Sequence, residues 1–180
     1  HTPFPPNEIC PEGKLLAPSK THLLGTDNLG RDVLSRIMAG TRISILLGFC
    51  VMIFGLVSGL ILGSISGWFG GTADIIVMKL INTQMAFPGI LLALMLTAVF
   101  QPNIKITFLS LCIMSIPRYT RMTRACYIKY RNSLFVQAAK ARGAGNFRIM
   151  YIHILPNIIS ELLVTATTSF SMAILSESGL

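Results

Sequence analysis

Residues 43–67 read ISILLGFCVMIFGLVSGLILGSISG, 25 positions without one charged side chain. A charge-free run beyond about 18 residues is long enough to cross the ~30 Å hydrocarbon core of a bilayer as a helix. Fourteen of the 25 are Leu, Ile, Val or Phe. At about −0.3 to −0.6 kcal/mol each, they favour insertion by roughly 4–8 kcal/mol before the Gly and Ser positions reduce the sum.

The surrounding composition points the same way. The chain has 180 residues, 52% of them hydrophobic and only 12% charged, with a mean hydropathy of +0.66. A soluble domain is about a quarter charged, so an ordinary soluble enzyme and a disordered chain are both excluded. Leu80 to Phe100 forms a second charge-free run, interrupted by Asn82, Thr83, Gln84, Thr97 and the pair Pro88-Gly89. Ile106 to Pro117 has 12 residues without charge and needs Lys105 and Arg118 to snorkel if it is to span. Ile154 to Leu175 has the length but carries Glu161. The expected fold is therefore all-α, a polytopic membrane helix bundle. The chain begins at His1 and stops at Leu180 beside an apolar segment, which reads as a fragment with elements missing at both ends.

Charge sets the expected topology. Between Arg118 and His153 there are eight basic residues and no acid, whereas residues 1–42 hold five basic and four acidic side chains. Basic residues in short loops stay on the cytoplasmic side. Residues 118–153 are expected inside and residues 1–42 outside, which divides the chain into an extracytoplasmic segment, 1–42, and a membrane domain, 43–180. Within the first part, five prolines between His1 and Pro18 predict an extended loop, and Asp32 to Thr41 predicts a short helix ahead of the first span.

Gly55, Gly59, Gly63 and Gly67 recur at four-residue spacing, which stacks them on one helix face where another backbone can approach closely. Pro88-Gly89 breaks the second run. Two readings stay open there, a pathway-lining interruption and a packed kink. Glu161 is an intramembrane acid, facing either a watery cavity or a basic residue of a partner chain. The stretch from Gly25 to Asp32 superficially resembles a phosphate-binding loop but lacks the Lys and the Ser/Thr that such a loop requires. No other segment is suited to a nucleotide. Cys10, Cys50, Cys112 and Cys126, with the scattered His1, His22 and His153, assemble no metal site.

The basic loop carries the most information. Asn132 or Ser133 can cap a helix running to Arg142, with Phe135, Ala138, Ala139 and Arg142 on one face. Gly143 suits the left-handed position that ends it. Asn146 can cap a second helix with Phe147, Met150, Tyr151 and Ile154 on one stripe, closed by Pro156, a residue that can also open the following span. Such a helix–turn–helix fits a groove on a partner. Retention by charge, contact with anionic lipid and nucleic-acid binding compete with that reading.

At this loop the sequence resembles a known family. Gln137-Ala138-Ala139, then Gly143, then Ile154-Leu155-Pro156 is similar to the EAA loop of ABC importer permeases. His22 to Arg36, Ala86-Phe87-Pro88, His153 to Asn157 and Ala173-Ile174-Leu175 with Glu177 resemble the C-type permease subunit of dipeptide, oligopeptide and nickel importers. The resemblance implies the type I ABC importer fold, here without its first and last membrane helices, in a bacterial inner membrane. It implies a B-type permease partner, two ABC ATPase subunits inside and a substrate-binding protein outside, with membrane lipid around and no nucleic acid. ATP and Mg would be bound by the ATPases and no cofactor or metal by this chain, which would not be an enzyme. The coupling loop, about residues 118–156, would enter the ATPase groove. Ala138 and Ala139 would permit close approach, Gly143 the turn, and Phe147 and Met150 the contacts, with Leu155 and Pro156 closing the motif. Gln137 replaces the family's Glu, Arg142 an apolar residue and Glu161 an apolar or small one. The implied function is translocation of dipeptides or oligopeptides. Nickel or another small solute is the alternative within the family, and a self-contained channel or secondary transporter the alternative outside it.

Overall fold

A computed structural model describes residues 2–10, 13–100 and 103–178. His1, Pro11, Gly179 and Leu180, used above for the ends and the proline-rich loop, lie outside them. The chain divides into two compact units, residues 1–47 and 48–180.

The N-terminal unit is organised by two aspartates. Asp27 accepts from the amides of Leu29 (2.9 Å) and Arg31 (3.0 Å) through Oδ1, and from Arg31 Nε (2.8 Å) and Arg36 Nη1 (2.6 Å) through Oδ2. This is an Asx turn reinforced by two guanidinium groups. The stretch that superficially resembles a phosphate loop is thus closed around its own carboxylate. Asp32 caps the first helix: Oδ2 accepts from the Ser35 amide at 2.8 Å, and Oδ1 lies 3.0 Å from His22 Nδ1. The Phe4 ring lies 4.9 Å from that of His22, and the Phe4 amide donates to Ser35 Oγ.

Burial opposes ionisation of Asp32, but the bonds from Ser35 and the proximity of His22 outweigh it and hold the carboxyl below its ordinary 3.8. The sign follows from linkage. A depressed carboxyl contributes its stability in full above the ordinary value and loses it as pH falls through the lowered one. Protection of the Ser35 amide against hydrogen exchange should therefore be constant above about pH 5 and decline as pH falls below 3.8. In Asp32→Asn that decline should be absent.

The first helix, α1 (Val33–Phe69), runs without interruption from this cap through the whole apolar stretch. A separate short helix over Asp32–Thr41 is not formed. No proline falls between the two segments, and the backbone has no reason to stop. α2 (Gly71–Met85) and α3 (Gly89–Phe100) follow, with a bend of 75° between them at Ala86–Pro88. The second apolar run is therefore two helices, and its first begins nine residues before Leu80, at Gly71. Residues before a proline disfavour the α region, which places the break here.

α4 (Ile104–Tyr130) continues through Pro117. A proline inside a helix leaves the carbonyl four residues back without its donor. That carbonyl belongs to Ile113, and the Gln84 side chain from α2 donates to it. α5 (Leu134–Ala141), a single turn α6 (Asn146–Arg148), a π-helical turn (Ile149–Ile154) and α7 (Leu155–Ser178) complete the chain. Among the described residues the only β contact is one bridge, Thr26 to Asp32. Two stretches, Val33–Phe69 and Asn146–Glu177, are long and apolar enough to cross a membrane, and the bent α2–α3 pair makes a third if taken together. α4 has the length, but its second half is too basic to qualify on composition.

In the second unit, α2, α3 and α7 all pack on α4. α1 joins them through Gly55, Gly59, Gly63 and Gly67, which lie against Ser115, Tyr119, Thr120, Thr123, Arg124 and Tyr127 of α4. A Cβ at Gly59 would stand 2.9 Å from the Thr120 amide nitrogen, and one at Gly63 would stand 2.6 Å from the Thr120 carbonyl oxygen. Only hydrogen fits between these two backbones.

Candidate functional site

The main apolar core of the second unit lies at the end of the bundle that carries the basic loop. Trp68, Cys126, Tyr127, Val136, Ala139, Ile149, Met150, Ile154, Ile158 and Leu162 form one cluster. The loop is thereby seated on the membrane helices rather than projecting from them. Val136 and Ala139 are the inward face of α5, while Leu134, Phe135, Gln137 and Ala138 point out. The expected face of Phe135, Ala138, Ala139 and Arg142 is therefore split, because α5 buries the stripe one residue away from Phe135 and Ala138.

The stripe expected on the next helix is split as well. Ile149, Met150 and Ile154 are fully buried, whereas Phe147 is 71% exposed. Met150 thus belongs to the core that seats the loop, not to the outward face on which it was expected. The cause is the π turn, whose i→i+5 bonds advance the side chains differently from the α period. The Met150 carbonyl accepts from the Leu155 amide across that turn and from buried Tyr127 Oη at 3.0 Å. Pro156 does not close the helix but sits in the first turn of α7, lying exposed behind half-buried Leu155. Its ring crowds the carbonyls one turn back, and widening the turn makes room. The Asn157 side chain donates to the His153 carbonyl at 2.6 Å.

Caps also differ from expectation. Ser133 occupies the N-cap position of α5, but its Oγ donates back to the Tyr130 carbonyl instead of accepting from the helix, and Gly145 stands at the N-cap of α6 in place of Asn146. Gly143 has φ +77°, and its place in the turn is closed by the bond from its amide to the Lys140 carbonyl. Gln137 Nε2 donates to the Asn132 carbonyl at 3.0 Å, tying α5 to the strand of chain before it.

What the loop leaves outside is an aromatic and basic surface. Phe147 and Tyr151 stack with centroids 6.5 Å apart, and Phe135 and Ala138 are exposed as well, in an otherwise cationic stretch. Arg142, Arg148 and His153 line a cleft of about 220 Å³ at Gly143. Glu161 of α7 faces Lys129 Nζ at 3.4 Å and Cys126 Sγ at 3.7 Å, so its basic partner is within this chain.

One ion pair has no counterpart in the sequence reading. Asp74 of α2 receives Arg124 of α4 in a two-pronged pair, Nε to Oδ1 and Nη2 to Oδ2, each 2.6 Å. Ser66 of α1 donates to the same carboxylate, so three helices meet on one aspartate. The two partners are 50 residues apart, and the only sequence hint is that Asp74 is the one acid between Asp32 and Glu161.

At the bend, Gln84, Met85, Phe87, Pro88, Gly89 and Leu92 face Met114, Pro117, Arg118 and Arg121 across an open cleft of about 560 Å³. Pro88-Gly89 therefore borders a cleft, and α3 stays packed on α4 beyond it.

A helical bundle with membrane-length apolar helices, a break in one of them and a basic loop seated at one end has the build of a membrane transport component. The family of binding-protein-dependent transport system inner membrane components matches residues 59–180. The chain belongs to that family. It is 40% identical over 179 residues to the dipeptide transport system permease protein of Haemophilus influenzae, covering 96% of this chain and 61% of that one. It is 38% identical to the di/tripeptide transport system permease protein of Pseudomonas aeruginosa, covering 99% and 61%. With the glutathione transport system permease protein of Pectobacterium atrosepticum it shares 35% identity, over 91% and 54%. The chain spans roughly three fifths of the length of the relatives it matches.

Proposed function

We propose that the chain is the translocation-pathway subunit of an ATP-driven importer for short peptides in a bacterial inner membrane. Its partners on this reading are a second permease subunit, two ATPase subunits on the cytoplasmic side and a substrate-binding protein outside. ATP and Mg belong to the ATPases, and this chain converts their closure into movement of its helices. The observation that carries the reading is the loop of residues 131–156. It has an inner face in the core of the bundle and an outer face of Ala138, Phe147 and Tyr151, so force on the outside is passed to α4 and α7. The eight basic residues without an acid between Arg118 and His153 favour placing this loop inside and residues 1–42 outside. The names of the relatives favour peptides over nickel. A self-contained transporter with Glu161 as coupling acid loses its motive, because that carboxylate is engaged by Lys129.

Ala138 is exposed and Ala139 is buried, so Ala138→Arg tests docking without disturbing the core. Full-length permease purified from its own membrane should bring the ATPase subunits with it. Ala138→Arg should lose them by tenfold or more, with the permease pair intact. An absence of ATPase from the wild-type complex in gentle detergent would refute the reading.

A further inference from the structure

The arginines of α4 form a ladder against α2. Arg124 is held by Asp74, and one rung higher Arg121 Nη2 donates to Asn82 at 2.8 Å. Arg118 is the next rung, but α2 ends at Met85 and offers nothing to it. Among the described residues no carboxylate or carbonyl accepts from Arg118. Its side chain is exposed and borders two clefts, the one of about 560 Å³ at the α2–α3 bend and a smaller one of about 110 Å³ beside Ser115, Ser169 and Ser176. At 1.5 Å per residue it stands about 21 Å from the start of α4 and about 18 Å from its end, close to midway.

The two other polar side chains on this wall are already committed. Gln84 is spent on the Ile113 carbonyl and Arg121 on Asn82. The remaining lining is apolar: Met85, Phe87, Leu92 and Met114. The larger cleft is of a size that holds small organic ligands. Arg118 is thus the guanidinium on this wall without a partner among the described residues, and it stands beside apolar surface, where a charge-assisted hydrogen bond is worth more than in water. Its planar fork matches a carboxylate in a bidentate geometry.

We infer that Arg118 is a carboxylate-binding subsite in the translocation pathway, taking the C-terminal carboxylate of a peptide while the apolar wall at the bend accommodates its body. The inference rests on the peptide-import reading and adds the group that is recognised. It also gives the break in the second span a role, since Met85, Phe87, Pro88 and Gly89 at the bend line the cleft beside Arg118.

The test uses the complete importer, with its partner subunits and binding protein, in proteoliposomes. Uptake of a panel of di- and tripeptides is compared with uptake of the same peptides as C-terminal amides, in wild type and in Arg118→Gln. The binding protein's own preference cancels in the ratio between the two importers. The wild-type preference for the free acid should fall about tenfold or more in Arg118→Gln, while uptake of the amides changes little. Arg118→Lys keeps the charge without the fork and should retain an intermediate preference. It carries the same comparison if the Gln variant fails to assemble. An equal loss for acid and amide would overturn the inference and assign Arg118 to an ion pair with the partner permease. No change in the ratio would overturn it too. Failure of the wild type to import any peptide would instead remove the peptide reading, and this subsite with it.

Discussion

Gly59→Leu should abolish assembly of the helix bundle. The glycine lies against the backbone of α4, and a single added Cβ already comes within 2.9 Å of both the Thr120 nitrogen and the Tyr119 carbonyl carbon while overlapping the Tyr119 Cβ. These are backbone and near-backbone atoms that no rotamer change can move. Overpacking a tight interior costs about 1–3 kcal/mol for modest insertions, and a leucine adds four carbons where none fits. Even Gly59→Ala should lose stability on that scale. Gly40 of the same helix has nothing within 4 Å of its virtual Cβ, so Gly40→Ala should be neutral or slightly stabilising. Size-exclusion profiles of the detergent-solubilised permease after a heating series check both. A Gly59→Leu protein that eluted and melted like wild type would show that α1 does not rest on α4 in the membrane.

The second large effect is expected from Arg124→Ala. It strips Asp74 of its two-pronged partner and leaves a carboxylate among three helices, with only Ser66 still donating. Breaking a buried ion pair by removing one partner costs about 3–5 kcal/mol. With side chains 22% and 30% exposed, this pair should fall toward the lower end. Replacing both partners, Asp74→Asn with Arg124→Gln, should recover much of the loss, because no charge is then left uncompensated. Thermal shift of the two variants and the wild type in the same detergent measures the difference. If the double variant is as unstable as Arg124→Ala alone, the pair is not what joins α2 to α4.

How far these features could be read beforehand depends on whether the signal is local. A charge-free run of 25 residues needs no tertiary information, and α1 contains all of it. Glycines four apart share a face by helix geometry alone, although nothing in their spacing names α4 as the neighbour. Gly143 stands out because a chain leaving a helix needs a residue that tolerates φ near +77°. The Asp74–Arg124 pair was not legible, since each residue looks like one charge near a helix end and the meeting is made by folding. The same holds for Gln84, whose task exists only because Pro117 sits opposite it and frees the Ile113 carbonyl. The burial of Met150 departs from the expected outward stripe for a different reason. A 3.6-residue period was applied across a turn that is wound more loosely.

That loose turn has a consequence for how the outer face of the loop is aimed. Residues 149–154 store one residue of extra winding between Phe147 and the buried line of Ile158 and Leu162. Deleting a single residue there converts the π turn to an ordinary one and swings Phe147 by about 100° around the axis. The turn acts as an angular setting between the outer face of the loop and the buried face of α7. Any chain that shortens this segment by one residue must turn that outer face by more than a quarter of a revolution.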